Sequence, residues 1–150
     1  MALLASTALR NKILDNGSLK SILAGGFIHV YASALSDIPA TADAAIDAAK
    51  HTKLVTIFGD GVSAGLNLGT AAGGAIGKAT GENWSGTVLA SGTAVFFRYV
   101  APGDTEAAST TEPRLQGRVG VSGAELNISS LALTAGNPQA VNYISISMPG

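Results

Sequence analysis

The residues that could do chemistry are few, and their spacing argues against catalysis. Gly61-Val-Ser-Ala-Gly65 has the Gly-x-Ser-x-Gly form of a nucleophile elbow, in which a strained turn between strand and helix exposes the serine. A strand is expected just before it, but Gly65-Leu-Asn-Leu-Gly-Thr70 makes a poor helix. Both histidines, His29 and His51, precede Ser63, whereas such a triad needs one after it. In a chain with 19 glycines a chance match is the simpler account. Gly73-Gly-Ala-Ile-Gly-Lys78 approaches a phosphate-binding loop, yet Ala72 stands at the loop's first glycine and Ala79 where a Ser or Thr would hold magnesium. Asp37, Asp43, Asp47 and Asp60 do not follow a calcium-loop spacing, and two histidines in separate segments form no transition-metal cluster. Cysteine is absent, which removes disulfides, thiolate metal sites and thiol nucleophiles. The expectation is a protein that is not an enzyme, with no cofactor and no metal.

Two side chains remain of interest. Trp84, the only tryptophan, offers a face for stacking on a sugar, but with aromatics at 5% of the chain it reads more simply as a core anchor. Arg98 is flanked by aromatics in Thr93-Ala-Val-Phe-Phe-Arg-Tyr-Val100. If buried it needs a carboxylate, from Asp104, Glu106 or Glu112; otherwise it snorkels to solvent. His29, beside Phe27 and Tyr31, reads as a hydrogen-bonded core or interface residue. Asn83-Trp-Ser85 and Asn127-Ile-Ser129 fit the glycosylation sequon but carry no weight without a secretory signal.

These residues sit on short β elements. Thr93 to Val100 divides into Val95, Phe97 and Tyr99 on one face and Ala94, Phe96, Arg98 and Val100 on the other, so it should be a central strand covered on both sides, by a loop or by another subunit. Further strands are expected over Phe27 to Tyr31, Lys53 to Phe58, Trp84 to Leu89 (pairing with the central strand), Leu115 to Val121 (Gln116 and Arg118 on a wet face), Leu126 to Ile128, Leu131 to Leu133 and Val141 to Met148. Gly73-Gly74 suggests a weak hairpin. Thr7 to Leu14 can form a short helix capped by Ser6 or Thr7 and stopped at Asn16-Gly17. The alanine-rich Pro39 to Lys50 is a short helix or a loop. Eight or nine short strands at intervals of eight to twelve residues are the pattern of an all-β fold, a jelly-roll-like antiparallel β-sandwich, with residues 1–17 as an N-terminal arm or short helix and 18–150 as the sandwich domain.

Charged residues make up 13% of the chain, against about 25% in an average globular protein, and the net charge is −1. No basic field exists to bind nucleic acid, and a surface so poor in charge favours association, which hints at an assembly subunit. No run of eighteen apolar residues offers a membrane span. The opening Met1-Ala-Leu-Leu-Ala-Ser6 lacks a basic start, and Arg10, Asn11 and Lys12 interrupt its apolar stretch, so secretion by a signal peptide is not expected.

At Trp84-Ser-Gly-Thr87, Gly92-Thr-Ala94, Phe97-Arg98, Gly103-Asp104 and Thr110-Thr-Glu-Pro-Arg-Leu-Gln-Gly117 the chain resembles a group of small virion proteins encoded among the head genes of tailed bacteriophages. Leu19 to Tyr31 is similar as well, and the alanine-rich insert around Ile46 to Lys50 is a departure. What the resemblance implies is a capsid decoration, or cement, protein: a β-sandwich made in the host cytoplasm, bound to the capsid exterior and strengthening contacts between major capsid protein subunits. Its partners would be the major capsid protein and itself, as dimer or trimer, with no direct contact to nucleic acid or membrane. The alternative is a tail- or fibre-associated β module, possibly carbohydrate-binding. Leu3, Leu4, Leu9, Ile13 and Leu14 need something to pack on, either their own sandwich or, as candidate partner-binding residues, a capsid or neighbouring subunit, and Trp84, Phe97, Arg98, Tyr99 and Glu112 are expected to be structural.

Overall fold

Short β-forming runs broken by glycine turns produce short strands. In the computed structural model, which describes residues 3–147, twelve are found among the described residues and none exceeds seven residues. They are β1 (Leu4–Ala5), β2 (Phe27–Ala32), β3 (Thr52–Ile57), β4 (Ala75–Ile76), β5 (Ser85–Thr87), β6 (Gly92–Thr93), β7 (Phe96–Val100), β8 (Arg114–Gly120), β9 (Leu126–Ile128), β10 (Ala132–Leu133), β11 (Pro138–Ile144) and β12 (Ile146–Ser147). Two helices, α1 (Thr7–Asp15) and α2 (Leu19–Leu23), lie between β1 and β2, and a single 3-10 turn spans Leu35–Asp37. The fold is all-β.

The main sheet runs β3-β2-β7-β8-β9-β11-β5, with β1 added against β8. Its pairings are antiparallel except β8 with β9, so the sheet is mixed and not purely antiparallel. The two ends of this order approach one another again. Phe58, just after β3, exchanges backbone hydrogen bonds of 2.8 and 3.0 Å with Ser85 of β5, so the sheet nearly closes. At this seam a Cβ on Gly86 would lie 2.0 Å from the Thr56 carbonyl oxygen, a contact only glycine permits. Two further pairs, β6 with β10 and β4 with β12, are separate ribbons. Gly73 and Gly74 both have positive φ, 59° and 78°, in the turn that leads into β4.

The centre is β7, whose five residues are all buried. Phe97 and Tyr99 point into the hydrophobic core with Leu9, Leu23, Trp84 and Leu126, while Phe96, Arg98 and Val100 face the other way. That outer face is covered by the chain's own loops, residues 33–51 and 101–113, which place Ala44 and Pro39 carbonyls over Arg98 and Gln116. The strand expected over Thr93 to Val100 is divided, because β6 turns aside to pair with β10. Trp84 to Leu89 does not pair with the central strand: β5 lies against β11, and β7 lies between β2 and β8.

Other expectations are also corrected. Leu115 to Val121 has no wet face at Gln116, which is fully buried opposite Arg98. Of the two alternatives for Pro39 to Lys50 the structure shows the loop, in which the Ala42 and Ala44 carbonyls accept bonds from Arg114 and Arg98. Ile144 and Ile146 are buried, and Met148 lies outside the described residues.

The N-terminal segment docks on its own sheet. Leu4 and Ala5 pair with Gln116 and Leu115. The Ser6 hydroxyl caps α1 by accepting from the Leu9 N–H at 3.2 Å, accepts from the Arg114 N–H at 2.9 Å and donates to the Glu112 carbonyl at 2.9 Å. Leu9 is fully buried in the core. The accessible surface of 7173 Å² matches the roughly 7,000 Å² that area scaling gives a compact chain of this mass, which leaves little room for a detached arm.

Candidate functional site

Two regions hold the unusual features: a buried polar cluster beneath the loops of the outer face, and an open apolar hollow beside the N-terminal helices. In the first, register decides the partners. Gln116 stands opposite Arg98 across β7 and β8, and its Oε1 accepts from Arg98 Nη2 at 2.7 Å and Nε at 3.2 Å; Arg98 Nη1 donates to the Ala44 carbonyl at 2.8 Å. Gln116 Nε2 in turn donates to the Pro39 carbonyl at 2.7 Å. Arg98 therefore neither snorkels nor pairs directly with a carboxylate, contrary to both readings of the sequence. Burial pulls its pKa down, and the nearby Glu106 charge opposes that.

The carboxylates expected for Arg98 have other partners. Asp104 binds Arg114 through both oxygens, Nε to Oδ2 at 2.6 Å and Nη2 to Oδ1 at 2.7 Å, with both side chains almost wholly buried. Arg114 completes its donors on the Ala42 and Ala107 carbonyls, at 3.2 and 2.7 Å. Glu106, held at a φ of 61°, accepts from His29 Nδ1 at 2.8 Å and from the Tyr31 hydroxyl, with Lys53 Nζ 3.8 Å away. Its Oε1 is buried with no partner. Glu112 contributes its backbone carbonyl to Ser6, not its side chain to Arg98.

Burial alone would push the Asp104 and Glu106 carboxyls up. The Arg114 hydrogen bonds hold Asp104 below the ordinary carboxylate range, and His29, Tyr31 and Lys53 do the same for Glu106. Burial first and the Glu106 charge second push the Tyr31 hydroxyl far up, so it remains a donor. These groups are consumed in tying loops 33–51 and 101–113 to β2, β7 and β8. Neither main hollow of the surface touches them, which makes the cluster a clamp.

The remaining chemical candidates fall apart in space. Gly61–Gly65 is a surface loop wound on Asp60, whose Oδ1 accepts from the Val62, Ser63 and Ala64 N–H groups at 2.9, 2.9 and 3.0 Å; these bonds hold its carboxyl at about 2. His29 is engaged by Glu106 and His51 by the Asp37 carbonyl and the Asp47 N–H, and among the described residues neither is hydrogen-bonded to Ser63. Among the described residues no three His, Cys, Asp or Glu side chains are grouped to hold a metal. Trp84 is fully buried, donating to Glu82 at 3.1 Å and lying edge-on to Tyr99, so it presents no stacking face to a sugar.

The second region is a hollow of about 690 Å³ between the N-terminal segment and the turn at Gly73-Gly74. Leu3, Leu9 and Ile13 line it together with Leu19, Ile76 and Ile146, whereas Leu4 and Leu14 do not. Leu14 is 83% exposed at the end of α1. Of the residues set aside as partner-binding, Leu9 is therefore withdrawn into the core, and Leu3 and Ile13 form the hollow's wall.

The chain matches no known protein-family model, no curated protein and no solved structure.

Proposed function

We propose that this protein is a capsid decoration protein of a tailed bacteriophage, binding the outside of the mature head and strengthening contacts between major capsid protein subunits. The observation that carries the reading is the open apolar hollow on a surface otherwise poor in charge, beside a sheet whose polar groups are turned inward. Such a face suits assembly better than turnover. The sequence motifs that resemble phage head proteins fall on scaffold positions: Phe97-Arg98 on β7, Gly103-Asp104 and Thr110 to Gly117 around the Arg114 clamp. In this reading the nearly closed sheet is a jelly-roll-like sandwich, and repetition over a symmetric shell multiplies a modest contact into strong retention. Contacts to neighbouring copies, as dimer or trimer, use surface outside the hollow, with no direct role for nucleic acid or membrane. No helix among the described residues is long and apolar enough to cross a membrane.

Copy number in purified virions, measured by quantitative mass spectrometry against the major capsid protein, tests the proposal. The expected result is parity or a simple fraction of it. A few copies per particle would place the protein in the tail or at a vertex instead, and absence from virions would overturn the assignment. The alternative of a sugar-binding tail module loses its main support with the burial of Trp84.

A further inference from the structure

We infer that the hollow beside α1 and α2 receives a short apolar segment flanked by acidic side chains, presented by the protein on which this chain assembles. The inference deepens the assembly reading above and rests on it. Its walls are aliphatic, from Leu3, Ile13, Leu19, Ile76, Leu115 and Ile146, and the one charged residue among its lining is Lys20 at the rim. Among the described residues no carboxylate lines it.

Cations also predominate along the adjoining helices, while Glu125, whose side chain lies near Leu3, is engaged by the Arg118 N–H at 3.0 Å. Between Arg10 and Lys20 the chain has three cations and only Asp15 as counter-charge. Arg10 is drawn toward Thr7, to which it donates at 3.1 Å. Lys12 and Lys20 are exposed, and neither lies in a salt bridge among the described residues. An aliphatic wall with the Lys20 ammonium in its lining, and Lys12 exposed on the helix that carries Leu9 and Ile13, complements an apolar segment with carboxylates beside it. Desolvating the aliphatic wall provides the attraction, and the lysines select sign and register.

Charge also argues against a second copy as occupant. A two-fold contact through this hollow would bring Lys12 and Lys20 of one protomer against the same residues of its partner, and like charges across an interface oppose it.

The test uses the isotopically labelled full chain and three synthetic helical peptides that share one leucine- and phenylalanine-bearing face but are flanked by Glu, Lys or Ser. Backbone amide shifts locate and quantify binding. The Glu-flanked peptide should saturate, with shifts confined to β1, α1, α2 and the turn around Ile76. It should bind about five- to tenfold tighter than the Lys-flanked peptide at low ionic strength, the gap closing near 1 M salt. The double variant Lys12→Glu, Lys20→Glu alters only exposed side chains and should reverse the order. Equal affinity for all three peptides would overturn the inference, as would shifts centred on Phe58, Val62 and Leu89, or no saturable binding. Line broadening at these residues without peptide would also overturn it, by showing that a second copy occupies the hollow. None of these outcomes depends on virions, so failure here leaves the copy-number result standing, and the converse holds.

Discussion

The loop-covered outer face and the hollow beside α1 treat polarity in opposite ways. On the outer face Arg98, Arg114, Asp104 and Glu106 are buried and bonded among themselves, to Gln116 and to loop carbonyls. At the hollow, aliphatic side chains stand open to water with a lysine at the rim. A protein poor in charge has thus placed four charged groups where a solvent-facing surface was available, and has left uncovered the kind of surface usually put inside. Buried ion pairs add little net stability over apolar packing, but removing one partner is costly, so they fix a single arrangement of the loops they hold. The hollow has the reverse property. Its walls, Leu3, Ile13, Leu19 and Ile76, pack on the core with one side and are only partly buried, so they gain further burial when something covers them.

That contrast is broken most severely at Asp104. Asp104→Ala leaves the Arg114 guanidinium buried with two carbonyls and no carboxylate, and should cost about 3–5 kcal/mol in urea unfolding, a large part of the roughly 5–15 kcal/mol typical of a domain. A loss below about 1 kcal/mol would mean that the loops do not depend on the clamp. Next comes Leu9→Ala, expected to cost about 2–5 kcal/mol because Leu9 is fully buried where α1 meets the core. Were the N-terminal segment an independent arm, this variant would unfold like the parent.

Arg98 and Gln116 allow a finer comparison. Gln116→Met should cost about 1–3 kcal/mol, since it leaves Arg98 short of an acceptor, whereas the double variant Arg98→Met, Gln116→Met removes donor and acceptor together and should recover part of that loss. A double-mutant cycle from denaturant midpoints gives the coupling. Strict additivity would show that the two side chains do not act as a pair.

Much of this architecture is legible in the sequence, and the failures have a common cause. Phe27, Lys53 and Leu126 begin strands at or within one residue of where their β-forming runs predict, because local propensity and turns decide those limits, whereas the strand expected over Val141 to Met148 starts earlier, at Pro138, and breaks after Ile144. The doubly buried character of Phe96–Val100 also follows from its two apolar faces. Gln116 was placed on a wet face because alternation distinguishes polar from apolar positions, not exposed from buried ones. What buries it is the loop carrying Pro39 and Ala44, distant in sequence and without a helical or strand period to announce it. Arg114 escapes the sequence reading as a buried group for the same reason, although it lies within Thr110 to Gly117, and Glu106, a candidate partner for Arg98, binds His29 and Tyr31 instead. Leu3 and Ile13 line the hollow, and the docking of Leu9 depends on β1 pairing with β8, a two-residue strand that no pattern reveals.

Acid should loosen the clamp first and the hollow last. Asp104 and Glu106 have folded pKa values below their ordinary ones of 3.8 and 4.5. A depressed folded pKa contributes stability that is fully present above the ordinary value and is lost as pH falls through it toward the folded one. Melting temperature should therefore hold above the carboxylate range and decline below about pH 4.5, with amide exchange rising first in loops 33–51 and 101–113. Asp43 and Asp60 are depressed as well, the former by Thr7 hydrogen bonds that outweigh its desolvation, the latter by three backbone N–H groups. Both bind surface segments, so Asp60→Asn should affect mainly its own loop. Glu106→Gln, by contrast, removes a carboxylate that His29 and Lys53 both face, and should flatten the acid decline while lowering stability at neutral pH. An unchanged acid slope in Glu106→Gln together with a flattened one in Asp60→Asn would reverse the assignment, and the pH response would belong to the surface loop instead of the clamp.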